Sequence, residues 1–394
     1  MLSLKLYLRL TFLVSLFYEM NILLIPDKFK GSLTAKEVIA AIKKGISEFE
    51  PSFIVNHVIA SDGGDGFIDA IQENNNIELI KVESVDPLGR NLHTIYGLDR
   101  KNDTAYIELA NASGLSLLTP KERNVLKTST YGTGLQIKHA LNKGVKKIFI
   151  GLGGSATNDG GIGISVALGY KFLDNNSIGL KPIGENLQFI SSIITPSKKL
   201  IDRVKFYAVN DVQNPLFGEN GAAYVYGKQK GGNEQELEVL DKGLQNLHNV
   251  VKECLGLNKA VVPGTGAAGG TAYGLKVFFN ADFIEGAKFI LKKNDEIEYL
   301  KNREIDLIIT GEGMIDDQTF HGKLVNGVAN IGKKYKVPVI AICGKKQLLE
   351  RDNKSLNLVD IIEIADHSKP LEYNMRNAAS LIQEAVFNYF KTNY

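Results

Sequence analysis

Short, unbroken apolar runs rich in isoleucine and valine punctuate this chain at residues 21–25, 147–151, 305–310, 337–343 and 359–364. Continuous rather than alternating apolarity predicts strands covered on both faces, as in a parallel α/β sheet. Stretches of helical period follow several of these runs, at 34–49, 321–335 and 371–390. Thr34 with Glu37 three residues on has the form of a capping box, which marks a helix start. Strand and helix alternating in this way predict a doubly wound α/β domain built from the N-terminal stretch and the C-terminal third. The middle differs. Runs at 78–85, 92–98 and 104–110 are separated only by Asp86-Pro87-Leu88-Gly89 and Arg100-Lys101-Asn102-Asp103. Such short connections leave no room for crossover helices and predict an antiparallel or mixed sheet. The expected organisation is therefore one discontinuous domain, 20–80 with 280–394, and a second α/β domain, 81–279, inserted in it.

Composition narrows the partners. The 394 residues are 44% hydrophobic and 23% charged, ordinary for a soluble two-domain protein, and the net charge is +2. No polybasic run with interleaved aromatics occurs, so neither nucleic acid nor a membrane surface is an expected partner. Two cysteines, Cys254 and Cys343, give no disulfide framework and fit a reducing cytoplasm. Lys5 and Arg9 precede an apolar run at 10–17 that is too short to span a bilayer and has no small-x-small cleavage site after it. Residues 1–19 read as a leader outside the fold, with Met20 beginning it. The six histidines are scattered singly, so no zinc site or Ser-His-Asp set is expected, and His57 and His321 read as structural.

Glycine is concentrated in a few loops that also carry carboxylates or hydroxyls, several of them directly after predicted strands, where α/β proteins bind ligands. The richest, residues 151–163, holds six glycines with Ser155, Thr157, Asn158 and Asp159. Gly153 and Gly154 let the backbone approach phosphate oxygens, Ser155, Thr157 and Asn158 add neutral donors, and Asp159 is a candidate magnesium ligand. In Asp62-Gly63-Gly64-Asp65-Gly66, the two carboxylates are placed to share a metal or to supply a base. Glu312 and Asp316 are metal or ribose candidates, and Asn210-Asp211 follows a further strand. Near the start, Asp27 offers a carboxylate and Lys30 a cation for phosphate or substrate carboxylate, with Ser32 at the head of a helix whose N-terminus favours anions. Arg123, with residues 128–131, forms another polar cluster suited to an anionic substrate, and residues 264–270 suit either a phosphate loop or close helix packing.

No Gly-Lys-Ser/Thr follows the richest loop, so it is not a Walker A sequence. Gly151, Gly153 and Ala156 do satisfy the short dinucleotide fingerprint, with Asp174 near the position of a ribose-binding acid, which leaves a nicotinamide-dependent oxidoreductase as the rival reading. Against it, Thr157-Asn158-Asp159-Gly160-Gly161 falls where a Rossmann helix should already run.

Taken in order, Pro26-Asp27-Lys28-Phe29-Lys30-Gly31-Ser32-Leu33, Asp62-Gly63-Gly64-Asp65-Gly66, Asp86-Pro87-Leu88-Gly89 and Thr130-Tyr131-Gly132-Thr133-Gly134 are similar to segments of the bacterial glycerate kinase family. The likeness continues through residues 151–161, 211–215, Gln229-Lys230-Gly231, 264–270 and 310–316. The resemblance implies a flavodoxin-like domain with a second mixed-sheet α/β domain, and phosphoryl transfer from ATP to D-glycerate. The expected cofactors are ATP and Mg2+, and the expected state is a cytoplasmic monomer or homodimer. Combined with residue type and loop placement, it makes Asp62 the expected base, with Lys30 and Asp211 as catalytic partners and Asp27, Ser32 and Arg123 at the substrate. Gly153, Gly154, Ser155, Thr157, Asn158 and Glu312 are expected at the nucleotide, and Asp65, Asp159 and Asp316 at the metal. The chain departs from the family pattern at Asp65, Phe67, Asn210 and Met314.

Overall fold

The structure, a computed structural model, describes residues 19–394 except 60–62, 65, 75, 198–199, 287–288, 290–299, 301–303, 317–318, 320–323 and 349–356. The expected leader and the carboxylates Asp62 and Asp65 lie outside the described residues. The strands in chain order begin with β1 (Asn21–Pro26), β2 (Ile54–His57), β3 (Glu78–Val85), β4 (Asn91–Asp99) and β5 (Thr104–Glu108). Then come β6 (Lys147–Gly151), β7 (Lys171–Leu173), β8 (Ser192–Ile194), β9 (Lys205–Val209) and β10 (Asp282–Ile284). The last are β11 (Leu307–Ile315), β12 (Val339–Lys346) and β13 (Asp360–Glu363).

The chain forms two compact units, residues 1–60 with 294–394 and residues 61–293. The first is a flavodoxin-like, doubly wound parallel sheet with strand order β13-β12-β11-β1-β2. Five of the six residues of β1 are buried, as its unbroken apolar run predicts. The helix Ala35–Phe49 opens with both halves of the Thr34–Glu37 capping box formed. It packs on the helix Ala378–Asn393, with Phe49 stacked on Phe390 at a 5.8 Å centroid distance. The continuous helix expected over 371–390 is instead two, Leu371–Arg376 and Ala378–Asn393. Asn377 leaves helical dihedrals, and its side-chain amide donates to the Tyr373 carbonyl at 2.8 Å, the local competition with the helix ladder that asparagine offers.

The second unit carries a six-stranded mixed sheet, β10-β9-β6-β5-β4-β3, and a separate two-stranded sheet, β7-β8. β3, β4 and β5 pair antiparallel, whereas β5, β6, β9 and β10 run parallel. The antiparallel end answers to the short turns read from the sequence, and the parallel end to the apolar run of β6. The sequence cut the domains at 80/81 and 279/280; the units divide at 60/61 and 293/294. Two contacts move the boundary. The helix Phe67–Asn74 is held by Glu108, at the end of β5, which accepts from the Gly66 and Ile68 amides, and β10 pairs with β9.

Candidate functional site

In the first unit, β1 leads through its helix to β2 on one side, while β11 leads through the helix Leu324–Tyr335 to β12 on the other. Chain direction across the sheet therefore reverses between β1 and β11. Ligands of open α/β sheets bind outside the carboxyl ends of the strands at such a reversal. Asp27 and Lys30 follow β1, and Glu312 and Asp316 belong to the end of β11, so four expected site residues flank this point. Register fixes them there: Ile25 pairs with Thr310, whose hydroxyl donates to the Ile25 carbonyl at 2.8 Å, and the Asp27 amide donates to the Gly311 carbonyl. Thr319 Oγ1 donates to Glu312 Oε1 at 2.8 Å and accepts from the Asp316 amide at 3.2 Å, tying the Glu312 carboxylate and the Asp316 backbone to one turn. Lys30 is exposed, and its amide lies against Gly313. Ser32 is drawn elsewhere: its hydroxyl donates to the Met375 carbonyl at 2.6 Å. Beside them, burial pushes the Cys343 thiol up to about 12, which leaves it no nucleophilic use.

The second unit gathers its loops at the carboxyl ends of β5, β6 and β9. The Gly153 amide donates to the Gly63 carbonyl at 2.9 Å, and a side chain on Gly153 would start 2.2 Å from the Gly64 Cα. The segment that carries Asp62 and the glycine-rich loop are thus backbone neighbours. Phe67, where the family pattern has a small residue, is fully buried, stacked on Phe289 and packed against the bare Cα of Gly151. Asp211 follows β9, and its Oδ1 accepts from the Gly286 amide at 2.7 Å. Glu108 escaped the sequence reading because only the pairing of β5 with β6 carries it to this edge.

Three expected loop residues prove to be interior. Thr157, Asn158 and Asp159 are wholly buried. Asp159 accepts from the Thr130 amide and hydroxyl and from the Gly161 and Gly163 amides, at 2.7–3.2 Å. It thereby caps the starts of two helices, Tyr131–Asn142 and Ile162–Ala167, with its oxygens engaged. Burial raises its pKa while the Thr130, Gly161 and Gly163 bonds pull it down. The magnesium role expected for Asp159 is accordingly withdrawn. The Thr157 hydroxyl and both ends of the Asn158 amide are buried with no partner among the described residues. Residues 264–270 resolve in favour of packing: a Cβ on Gly269 would lie 2.0 Å from the Thr157 carbonyl oxygen.

Arg123 is half-buried, with its Nε unpartnered among the described residues and its backbone against Gly231. Lys230, the residue before Gly231, is buried and donates to Ser155 Oγ at 2.9 Å and the Thr157 carbonyl at 2.7 Å. Its signal in the sequence was the Gln229-Lys230-Gly231 segment. The dinucleotide reading does not survive. Asp174 follows β7, which belongs to the separate two-stranded sheet, and its Oδ1 accepts from the Asn176 and Ile178 amides of its own turn.

The fold and these loops define an α/β protein with ligand positions at strand carboxyl ends, a class that includes many small-molecule enzymes. Residues 22–393 match the sequence profile of the Glycerate kinase family. A glycerate kinase of Halalkalibacterium halodurans is 42% identical over 82% of this chain and 85% of its own. The glycerate 2-kinase of Escherichia coli K12 is 39% identical over the same shares. A crystal structure assigned as glycerate kinase 2 of Salmonella typhimurium LT2 superposes with a TM-score of 0.76 at 36% identity, covering 95% of this chain and 98% of its own. This chain belongs to the glycerate kinase family.

Proposed function

We propose that this chain transfers the γ-phosphoryl group of ATP to the 2-hydroxyl of D-glycerate, giving 2-phosphoglycerate and ADP. The observation that carries the reading is the family match over residues 22–393, with 39% identity to a relative named for the 2-position. The chemistry asks for in-line positioning, donors for the equatorial oxygens and an acceptor for the hydroxyl proton. Asp62 takes that proton, in a segment whose next residue, Gly63, is bonded to the glycine-rich loop. Gly154 and Ser155 turn backbone toward phosphate, with Gly153 anchoring the loop through its bond to Gly63, and Asp211 lies at the adjoining strand end. Lys30 or Arg123 is the cation for the glycerate carboxylate, with Asp27 as a further substrate contact.

Magnesium, when bound, would supply charge neutralisation at the phosphates. It commonly takes one or two protein carboxylates and completes its shell with phosphate and water. Glu312 and Asp316, held in one turn by Thr319, suit that requirement. No helix among the described residues is long and apolar enough to cross a membrane. We place the reaction in the cytoplasm, which two cysteines without a disulfide framework fit.

Asp62→Asn should lower kcat by about 10²–10⁴-fold, the usual worth of a general base, with the circular dichroism spectrum and Tm unchanged. Near-native turnover in that variant removes Asp62 as the base. Phosphorus NMR of the product should give the 2-phosphate resonance; a 3-phosphate would overturn the regiochemistry.

A further inference from the structure

Lys230 has no part in the reaction as drawn so far, yet it is 3% exposed and gives its ammonium to Ser155 Oγ and the Thr157 carbonyl. Taking a cation out of water is costly, and two neutral oxygens would be served by an uncharged donor. Around it the loop is pinned at each shoulder. Gly153 N donates to Gly63 O, Leu115 N to Gly154 O and Ala156 N to Ser113 O. The amides of Gly154 and Ser155, between those anchors, donate to no group among the described residues, and Gly154 is exposed with a left-handed φ of 71°.

We propose that Lys230 is a positioning residue for phosphoryl transfer: it clamps Ser155 and Thr157 from the interior, fixing the Gly154 and Ser155 amides toward phosphate oxygens and placing a positive charge behind them. The inference rests on the kinase reading above. A buried charge is weakly screened, so its field reaches an anion at the loop surface more strongly than that of a solvated lysine. Burial draws the Lys230 pKa down to about 7 against the opposing pull of Asp159, so the charge that supplies this field is present below that pH and lost above it. The same clamp accounts for Gly231, where a side chain would start 2.3 Å from the Arg123 carbonyl oxygen: Lys230 reaches inward only if the next residue lets the chain turn tightly, at φ 92°.

The test uses the full chain as wild type, Lys230→Gln and Ser155→Ala, with initial rates in Mg-ATP and D-glycerate and calorimetric titration with Mg-ADP. Lys230→Gln should lose about 30-fold or more in kcat/KM for ATP and bind Mg-ADP about tenfold more weakly, with the KM for D-glycerate within about threefold of wild type. Ser155→Ala should show the same split at about fivefold. A folded Lys230→Gln protein with native ATP kinetics, or with equal losses for both substrates, overturns the proposal. Should Lys230→Gln not fold, unchanged Mg-ADP affinity in Ser155→Ala overturns it. Wild-type protein that turns over no D-glycerate counts against the kinase reading instead, since the Mg-ADP titrations still decide the role of Lys230.

Discussion

A carboxylate in a glycine-rich loop can face a ligand or the interior, and Asp159 faces the interior. Its four accepted hydrogen bonds join the segment at Thr130 to the turn at 161–163. Asp159→Asn would turn an amide donor toward amide donors, at about 2 kcal/mol for one buried group left unmatched. That corresponds to a fall in Tm of roughly 4–8 °C for a unit of this size. The magnesium concentration giving half-maximal rate should stay within about twofold, because the proposed reaction assigns the ion to Glu312 and Asp316. A tenfold rise with an unaltered Tm would restore Asp159 as a metal ligand. The sequence could not distinguish the two uses, since residue type and loop position are the same for both. Lys230 and Glu108 were obscure for a related reason: their significance lies in what the fold buries them against. Asp27, Lys30, Glu312 and Asp316 could be placed at strand carboxyl ends from the sequence, because each lies in or just after the end of a strand whose apolar run is unmistakable.

Between elements, the governing contact is backbone on backbone. The residues entering the helix Ala267–Phe279 include Ala268, Gly269 and Gly270 in left-handed conformation, and they lie against residues 157–161. Gly269→Ala meets both a φ of 66° and the Thr157 oxygen at 2.0 Å, and should cost about 3 kcal/mol or more. Gly89→Ala is the control: its φ is 86°, but nothing lies within 4 Å, so only the conformational strain of about 1–2 kcal/mol applies. Equal losses of Tm, read by calorimetry, would refute the close approach. Strands buried on both faces were readable from their unbroken apolar runs, except that the run at 359–364 forms the edge strand β13, none of whose residues is buried. The Thr34–Glu37 cap located its helix to the residue. The domain boundaries were not, because the pairing of β10 with β9 and the anchoring of residues 66–68 by Glu108 join segments far apart in the chain.

At the scale of the whole molecule, two α/β units carry the candidate chemistry at strand carboxyl ends: a direction reversal flanked by Asp27, Lys30, Glu312 and Asp316 in one, and the Gly153–Gly63 loop pair in the other. Neither arrangement alone specifies a substrate, since strand-end glycine and carboxylate loops serve many phosphate-handling enzymes. The order of the motifs along the chain, and the family match over 22–393, narrow it to glycerate. The measurement that bears most directly on this account is ADP release by the purified full-length chain with Mg-ATP and D-glycerate. ADP should form in equal amount to the D-glycerate consumed, with none above background without D-glycerate or without magnesium. No glycerate-dependent ADP, at enzyme concentrations that would detect about one turnover per minute against the 1–100 per second usual for kinases, would contradict it.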